Sequence, residues 1–231
     1  LHPHQTHLVV HEDWVVPLPK GVDPARAVLS ANLETALNAT WDAEPRPGER
    51  TVVFGGGVVG LLTAWMVGKN TGTNPVIVDI NRDRKPVAER LGLAFMHPDD
   101  LGAHEFDCLF NTTASAAGLQ CAIDHAAFEG RIIEMSWYGS KEISLSLGGS
   151  FHSRRLTIIS SQVGHVAPSH RTTTSHRERM QLAMSHLSDA NLDVLLTPRV
   201  LFDDLPKHLD KIFAPGADVL CPLVGYTPTE T

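Results

Sequence analysis

The sequence predicts an α/β protein built on a doubly wound, parallel, six-stranded sheet. Three observations carry this. From Thr51 to Ser160 short apolar runs alternate with helical segments. A glycine triplet spaced G-x-G-x-x-G follows the first of these runs, and an acid closes the second. Strands that alternate with helices pair in parallel, because a parallel connection needs a long crossover. The crossovers should be right-handed, and with the glycine motif the expected strand order is 3-2-1-4-5-6.

Taken in order, residues 1–19 alternate loosely between apolar and polar and end in Pro17 and Pro19. They read as one or two edge strands with an extended exit. Asp23-Pro24 is a helix opening, a capping residue followed by proline. Ala27, Val28, Ala31, Leu33, Leu37 and Trp41 continue it at mostly helical spacing, and Glu44–Arg50 forms a turn. The expected strands are Thr51–Phe54, Pro75–Ile80, Leu93–Phe95, Asp107–Asn111, Arg131–Met135 and Leu156–Ser160. Helices are expected over Val58–Lys69, Arg82–Leu91 and Ser115–His125. A polar loop follows at His165–His176, then a helix over Ser175–Leu187, a strand at Thr197–Phe202, a helix at Leu205–Phe213 and a strand at Val219–Val224.

Composition narrows the function classes. The 231 residues are 42% hydrophobic and carry 19 Lys+Arg against 26 Asp+Glu, a net charge of −7. That balance gives no global attraction to nucleic acid or to an anionic membrane. No apolar run approaches the ~20 residues of a membrane span. Cys108, Cys121 and Cys221 are odd in number and widely spaced, which predicts a reducing, cytoplasmic setting with no disulfide framework.

Gly55, Gly57 and Gly60 satisfy the glycine motif. The first permits the tight turn, the second lets backbone approach a pyrophosphate, and the third lets helix pack on strand. The helix start then offers free N–H groups and its positive dipole end to the phosphates. Asp79 lies 19 residues beyond Gly60. An acid there accepts from adenosine ribose hydroxyls and repels a 2′-phosphate, so NAD is the expected cofactor. Arg82 and Arg84 pull the other way, since arginines past this strand can serve a 2′-phosphate.

The stretches VVFGGGVVGLL and VIVDINRDR, preceded by VVPLPKGVDPARAVLSANLETALNA, resemble the medium-chain dehydrogenase/reductase superfamily of the zinc-type alcohol dehydrogenase-like kind. GRIIEMSWYG and FHSRRLTIISSQVGHVAP look more like the branch containing 2-desacetyl-2-hydroxyethyl bacteriochlorophyllide a dehydrogenase. The resemblance implies a Rossmann-type domain with the remnant of a GroES-like β domain formed by the termini. Residues 1–30 would be remnant and linker, 31–195 the NAD-binding domain, and 196–231 the returning segment. It implies that Gly55, Gly57, Val58, Val59 and Gly60 hold the pyrophosphate, with Asp79 and Arg84 at the adenosine ribose. Asn111 and Thr112 would line the path to the nicotinamide ribose, and Met135 and Ser136 would lie near the ring. Thr35 falls where relatives place a small hydroxyl residue beside it. Ala31 stands where many relatives have a zinc ligand, so no metal is expected. Most of the relatives' catalytic domain is absent, and the start at Leu1 reads as a fragment or shortened form. Relatives also imply a homodimer through the edge of Leu156–Ser160.

Glu34 beside Thr35 is a candidate general base, or else a helix residue paired with an arginine. His2, His4, His7 and His11 form a weak metal candidate against a solvated edge strand. His165, His170 and His176 offer substrate contact or plain surface. Cys108 and Cys121 read as core thiols, and Arg154 and Arg155 as anion contacts or solvated residues. The expected activity is hydride transfer between a nicotinamide and a small-molecule alcohol or carbonyl, bacteriochlorophyllide-like in the branch resemblance. The alternatives are a non-catalytic nucleotide-binding protein and a zinc-free quinone or enone reductase.

Overall fold

A computed structural model describes residues 4–214, 217 and 219–226. The chain enters through an irregular segment and a 3-10 turn at Pro24–Leu29, where the Asp23 carboxylate accepts the Ala25 N–H at 2.9 Å. Helix α1 follows over Ser30–Ala43. The alternating part comprises β1 Thr51–Phe54, α2 Val58–Thr71, β2 Val76–Val78, α3 Lys85–Arg90 and β3 Ala94–Met96. It continues with β4 Phe106–Asn111, α4 Ala116–Asp124, β5 Ala126–Glu134 and β6 Thr157–Ser160. After α5 at His176–Ser185, the chain closes with β7 Arg199–Leu201, α6 Leu205–Ile212 and β8 Leu223–Gly225.

The six strands form one parallel sheet in the order β3-β2-β1-β4-β5-β6, as the alternation and the glycine motif predict. The order reverses between β1 and β4. Two apolar layers cover the faces. Val53, Ile77, Cys108, Phe110 and Ile133 point to the side of α1, α2 and α5, while Val52, Phe54, Leu109 and Ile132 meet α4 through Leu119 and Ile123. Alternation along each strand assigns the two sets. Burial pushes the Cys108 thiol up to about 12, as suits an inert core residue.

Three expectations need correction. No strand occurs in residues 4–19, which hold only a 3-10 turn at Glu12–Trp14. With Val9 and Trp14 exposed and no sheet edge beside it, the alternation there has no face to bury. The second sheet is the parallel pair β7-β8, made wholly by the C-terminal part. From the N-terminal part, His4 Nδ1 meets the Tyr226 hydroxyl at 3.0 Å. The Arg82–Leu91 helix is split, with a 3-10 turn at Arg82–Arg84 ahead of α3, because Asn81 caps the turn and Pro86 follows.

Candidate functional site

The site is built at the carboxyl ends of β1, β2 and β4, where the strand order reverses and an open sheet leaves a crevice. The cleft there is about 620 Å³ and is lined by Gly55, Gly57, Asp79, Ile80, Thr112 and Thr113, among others. Each motif glycine has a distinct cause. Gly55 has φ +104°, and a Cβ there would stand 2.5 Å from Thr112 Oγ1. A Cβ on Gly60 would stand 1.9 Å from the Gly55 carbonyl oxygen, so this glycine lets α2 close onto the turn. Gly57 differs from both. Its φ is −75°, an ordinary value, and among the described residues no atom beyond its chain neighbours lies within 4 Å of a Cβ built on it. Packing does not demand glycine there, and the space a side chain would take opens on the cleft. Gly57 is also the N-cap of α2, and no side chain caps that helix start. The helix therefore presents its positive end to the crevice.

Asp79 follows β2. Its Oδ2 accepts the Gly56 N–H at 2.5 Å and its Oδ1 accepts the Asn81 N–H at 2.7 Å. The carboxylate is thus aimed and held at the cleft wall. Beside it Ile80 is 81% exposed, an apolar surface in a polar mouth. Arg84 is buried next to Asp79 and donates to the Ala217 carbonyl at 3.4 Å, while Arg82 pairs with Asp100 at 3.1 Å. Thr112 closes the far wall, its hydroxyl on the Phe54 and Gly55 carbonyls at 3.0 and 3.2 Å. Val58 and Val59 form the first turn of α2 and are half-buried.

Other predicted residues lie elsewhere. Asn111 is fully buried behind the wall, and Ser136 bridges to the Ala114 N–H at 2.9 Å. Met135 packs with the core against α2, its sulfur 3.8 Å from Thr63 Oγ1, so its side chain does not face the cleft. Glu34 is no free base. Its Oε1 accepts from Arg179 Nε at 3.0 Å, and Arg179, 2% exposed, also holds Asn38 and the Val163 and His165 carbonyls. Thr35 spends its hydroxyl on the Ala31 carbonyl one turn back, at 3.0 Å. His165 and His176 line a separate surface hollow, and His170 stacks on Trp41 with ring centroids 4.1 Å apart. Arg154 and Arg155 pair with Glu105 and Glu129. Among the described residues no three His, Cys, Asp or Glu side chains converge as a metal set, and His2 lies outside those residues.

The sequence reading missed Ile80, Thr113, Gly118, Glu134 and Tyr138. A Cβ on Gly118 would stand 2.2 Å from Thr113 Oγ1, which lets α4 approach the wall. Glu134 carried a signal of its own, a carboxylate inside the apolar run Ile132–Met135.

No family model matches the chain. It is 28% identical over 126 residues to a 2-dehydro-3-deoxy-L-galactonate 5-dehydrogenase of Pseudoalteromonas atlantica, covering 50% of this chain and 37% of that protein. It is 26% identical over 132 residues to an uncharacterized zinc-type alcohol dehydrogenase-like protein of Escherichia coli, covering 51% and 37%. Over about half of its length the chain is thus similar to dehydrogenases, one of them zinc-type alcohol dehydrogenase-like. The matched region spans little more than a third of each of these relatives' length. Two solved structures share the fold of this chain. An E. coli short chain alcohol dehydrogenase complexed with NADH has a TM-score of 0.77 at 16% identity, covering 93% of this chain and 63% of that one. A Sinorhizobium meliloti zinc-binding dehydrogenase bound to NADP has a TM-score of 0.72 at 18% identity, covering 90% and 61%.

Proposed function

We propose that the chain binds NAD(H) across the β1–β4 switch point and serves hydride transfer between a nicotinamide and a small alcohol or carbonyl compound. The observation that carries this is Gly57, a non-strained helix cap whose missing side chain leaves room that no described residue fills. The start of α2 would meet the pyrophosphate, with Gly55, Val58, Val59 and Gly60 shaping the turn. Asp79 would accept from the adenosine ribose hydroxyls with the lone pairs left over from its two backbone bonds. Ile80 would cover one face of the adenine, and Thr112 the middle of the cleft. A fixed carboxylate at the ribose also disfavours a 2′-phosphate, which supports NAD over NADP. Bound NAD(H) supplies the hydride acceptor or donor. The protein's part is to orient the ring, through the Ser136 turn and the neighbourhood of Thr35, and to exclude water.

Relatives named for a sugar-acid substrate favour a hydroxylated carbon chain over a bacteriochlorophyllide-like one. Residues 31–195 act in this reading as the cofactor-binding unit, with 1–30 and 196–231 as the side facing a substrate domain. Three free thiols suit a cytoplasmic setting, and no helix among the described residues is long and apolar enough to cross a membrane. Homodimerisation through the open edge of β6 belongs to the same reading. One observation favours the second reading, binding without catalysis by this chain: neither Glu34 nor Thr35 lines the cleft, and Glu34 is paired with Arg179 beside a different hollow.

Isothermal titration with NAD tests the proposal. Asp79→Ala is expected to weaken binding by at least about tenfold, a loss of ~1.4 kcal/mol. Absence of binding by the unmodified chain, or unchanged affinity in Asp79→Ala, refutes it.

A further inference from the structure

The carboxyl ends of β4 and β5 carry a closed polar ring that the cofactor reading leaves unused. Buried Asn111 donates one amide hydrogen to Glu134 Oε2 at 2.8 Å and the other to the Tyr138 hydroxyl at 3.2 Å. That hydroxyl donates to the same Oε2 at 3.3 Å. The other carboxylate oxygen, Oε1, accepts the Ser136 N–H at 2.7 Å. Asn111 Oδ1 accepts the Thr113 hydroxyl at 2.8 Å and the Thr113 N–H at 3.3 Å. Ser136 Oγ accepts the Ala114 N–H and donates to the Asn111 carbonyl at 3.3 Å. Every hydrogen has a destination, and Glu134 only accepts. Burial, with the nearby charge of Glu134, pushes the Tyr138 hydroxyl up, so it stays a donor.

The ring reaches one wall of the cleft and the turn after β5. Through Asn111 it fixes Thr113, which lines the cleft at the end of β4, across β1 from Asp79. Through the Ser136 N–H it fixes the turn after β5. In a doubly wound sheet the two halves of a dinucleotide lie on opposite sides of the switch point, the adenosine half over β1–β2 and the other over β4–β5. We propose that Glu134 is a positioning residue for the dinucleotide, an acceptor-only hub that sets the Thr113 wall and the Ser136 turn at the spacing one cofactor needs. This rests on the dinucleotide reading given above. A glutamine cannot replace it. Whichever way its amide turns, an NH₂ group meets either the Ser136 N–H or the donors of Asn111 and Tyr138. An unmatched donor pair of this kind moves the loop that carries it.

The test compares NADH with ADP, which reaches only the adenosine wall, by titration calorimetry on the full chain. In Glu134→Gln the NADH dissociation constant is expected to rise about tenfold or more and that of ADP less than about threefold. Equal shifts for both ligands overturn the inference, as does a lowered melting temperature with both affinities intact, which marks a purely structural role. If Glu134→Gln does not fold, Tyr138→Phe decides. An NADH-to-ADP ratio of dissociation constants raised about threefold supports the hub, and an unchanged ratio overturns it. Asp79→Asn, run in parallel, is expected to weaken both ligands. An unmodified chain that binds neither ligand refutes the dinucleotide reading itself, and the hub with it.

Discussion

Gly57 and Gly60 lie three residues apart in one motif, yet the structure requires opposite consequences from the same added methyl group. In Gly60→Ala the new Cβ would stand 1.9 Å from the Gly55 carbonyl oxygen and 2.8 Å from Thr112 Oγ1. The first contact is backbone on backbone, so no side chain can rotate away. Ordinary contact begins near 3.4 Å, so α2 must back off the turn by about 1.5 Å in a close-packed interior. Overpacking of this kind costs ~1–3 kcal/mol, and a rigid clash belongs at the upper end. For a domain of this size ~3 kcal/mol lowers the melting temperature by about 6–12 °C. In Gly57→Ala the methyl meets nothing among the described residues beyond its chain neighbours, and φ of −75° suits alanine. The loss of a glycine cap costs less than ~1 kcal/mol. The same methyl fills the space kept for a pyrophosphate, so NADH affinity falls about tenfold or more. Melting curves followed by circular dichroism, with NADH titrations on both variants, check the pair. Gly57→Ala that binds NADH within about twofold of the unmodified chain refutes the assignment of that space to a ligand. Gly60→Ala that melts unchanged refutes the packing argument.

Glu34→Gln is expected to lower the melting temperature, because buried Arg179 loses its countercharge, while NADH affinity stays as it was. Calorimetry of folding and binding on the same sample separates the two, and a loss of affinity alone would restore Glu34 to the site. His186 lies edge-on to Trp65 at 6.1 Å, and burial, then Lys69, holds it below its ordinary 6.5. The unfolded chain takes up this proton first on acidification. Its contribution is therefore intact above 6.5 and lost as pH falls below that value toward the folded pKa. Urea midpoints measured across that range, with His186→Asn as reference, are expected to converge toward the acid end. If β6 edges pair between two copies, Thr157→Lys on the open edge is expected to yield monomers in sedimentation velocity. An unmodified chain that sediments as a monomer rejects the dimer outright.

What was legible in the sequence is what periodicity and local turn chemistry encode. The parallel pairing followed from alternation and the strand order from the glycine motif, and β1 was placed to the residue, because Thr51–Phe54 is bounded by a turn on one side and glycines on the other. Asp79 was found because its spacing from Gly60 is fixed by one helix and one strand. The failures share a different cause. The N-terminal alternation had the period of a strand but no edge to pair with, and period alone does not supply a partner. Glu34 could be read as a base or as the partner of an arginine, and nothing local decided between them because that partner, Arg179, lies 145 residues away on α5. Asn111, Glu134 and Tyr138 are brought together by the parallel pairing that sets Asn111 beside Glu134. Their hydrogen bonds are a tertiary fact with no local signature.

The polar groups of the cleft are held by the protein itself. Asp79 bonds the Gly56 N–H and the Asn81 N–H, Thr112 holds the two carbonyls at the end of β1, and Asn111 holds Thr113. Each polar group at the cleft wall is thus tied on one side to the protein and retains capacity on the other. A ligand there has little loop entropy to offset, so modest polar contacts suffice for affinity. The same economy makes the site brittle. Gly55, Gly60 and Gly118 lie where a Cβ would fall at 2.5, 1.9 and 2.2 Å from its nearest neighbour. The walls stand at this spacing only because three side chains are absent. A methyl at any of the three acts on the cleft by moving a wall, whereas a methyl at Gly57 acts by occupying it.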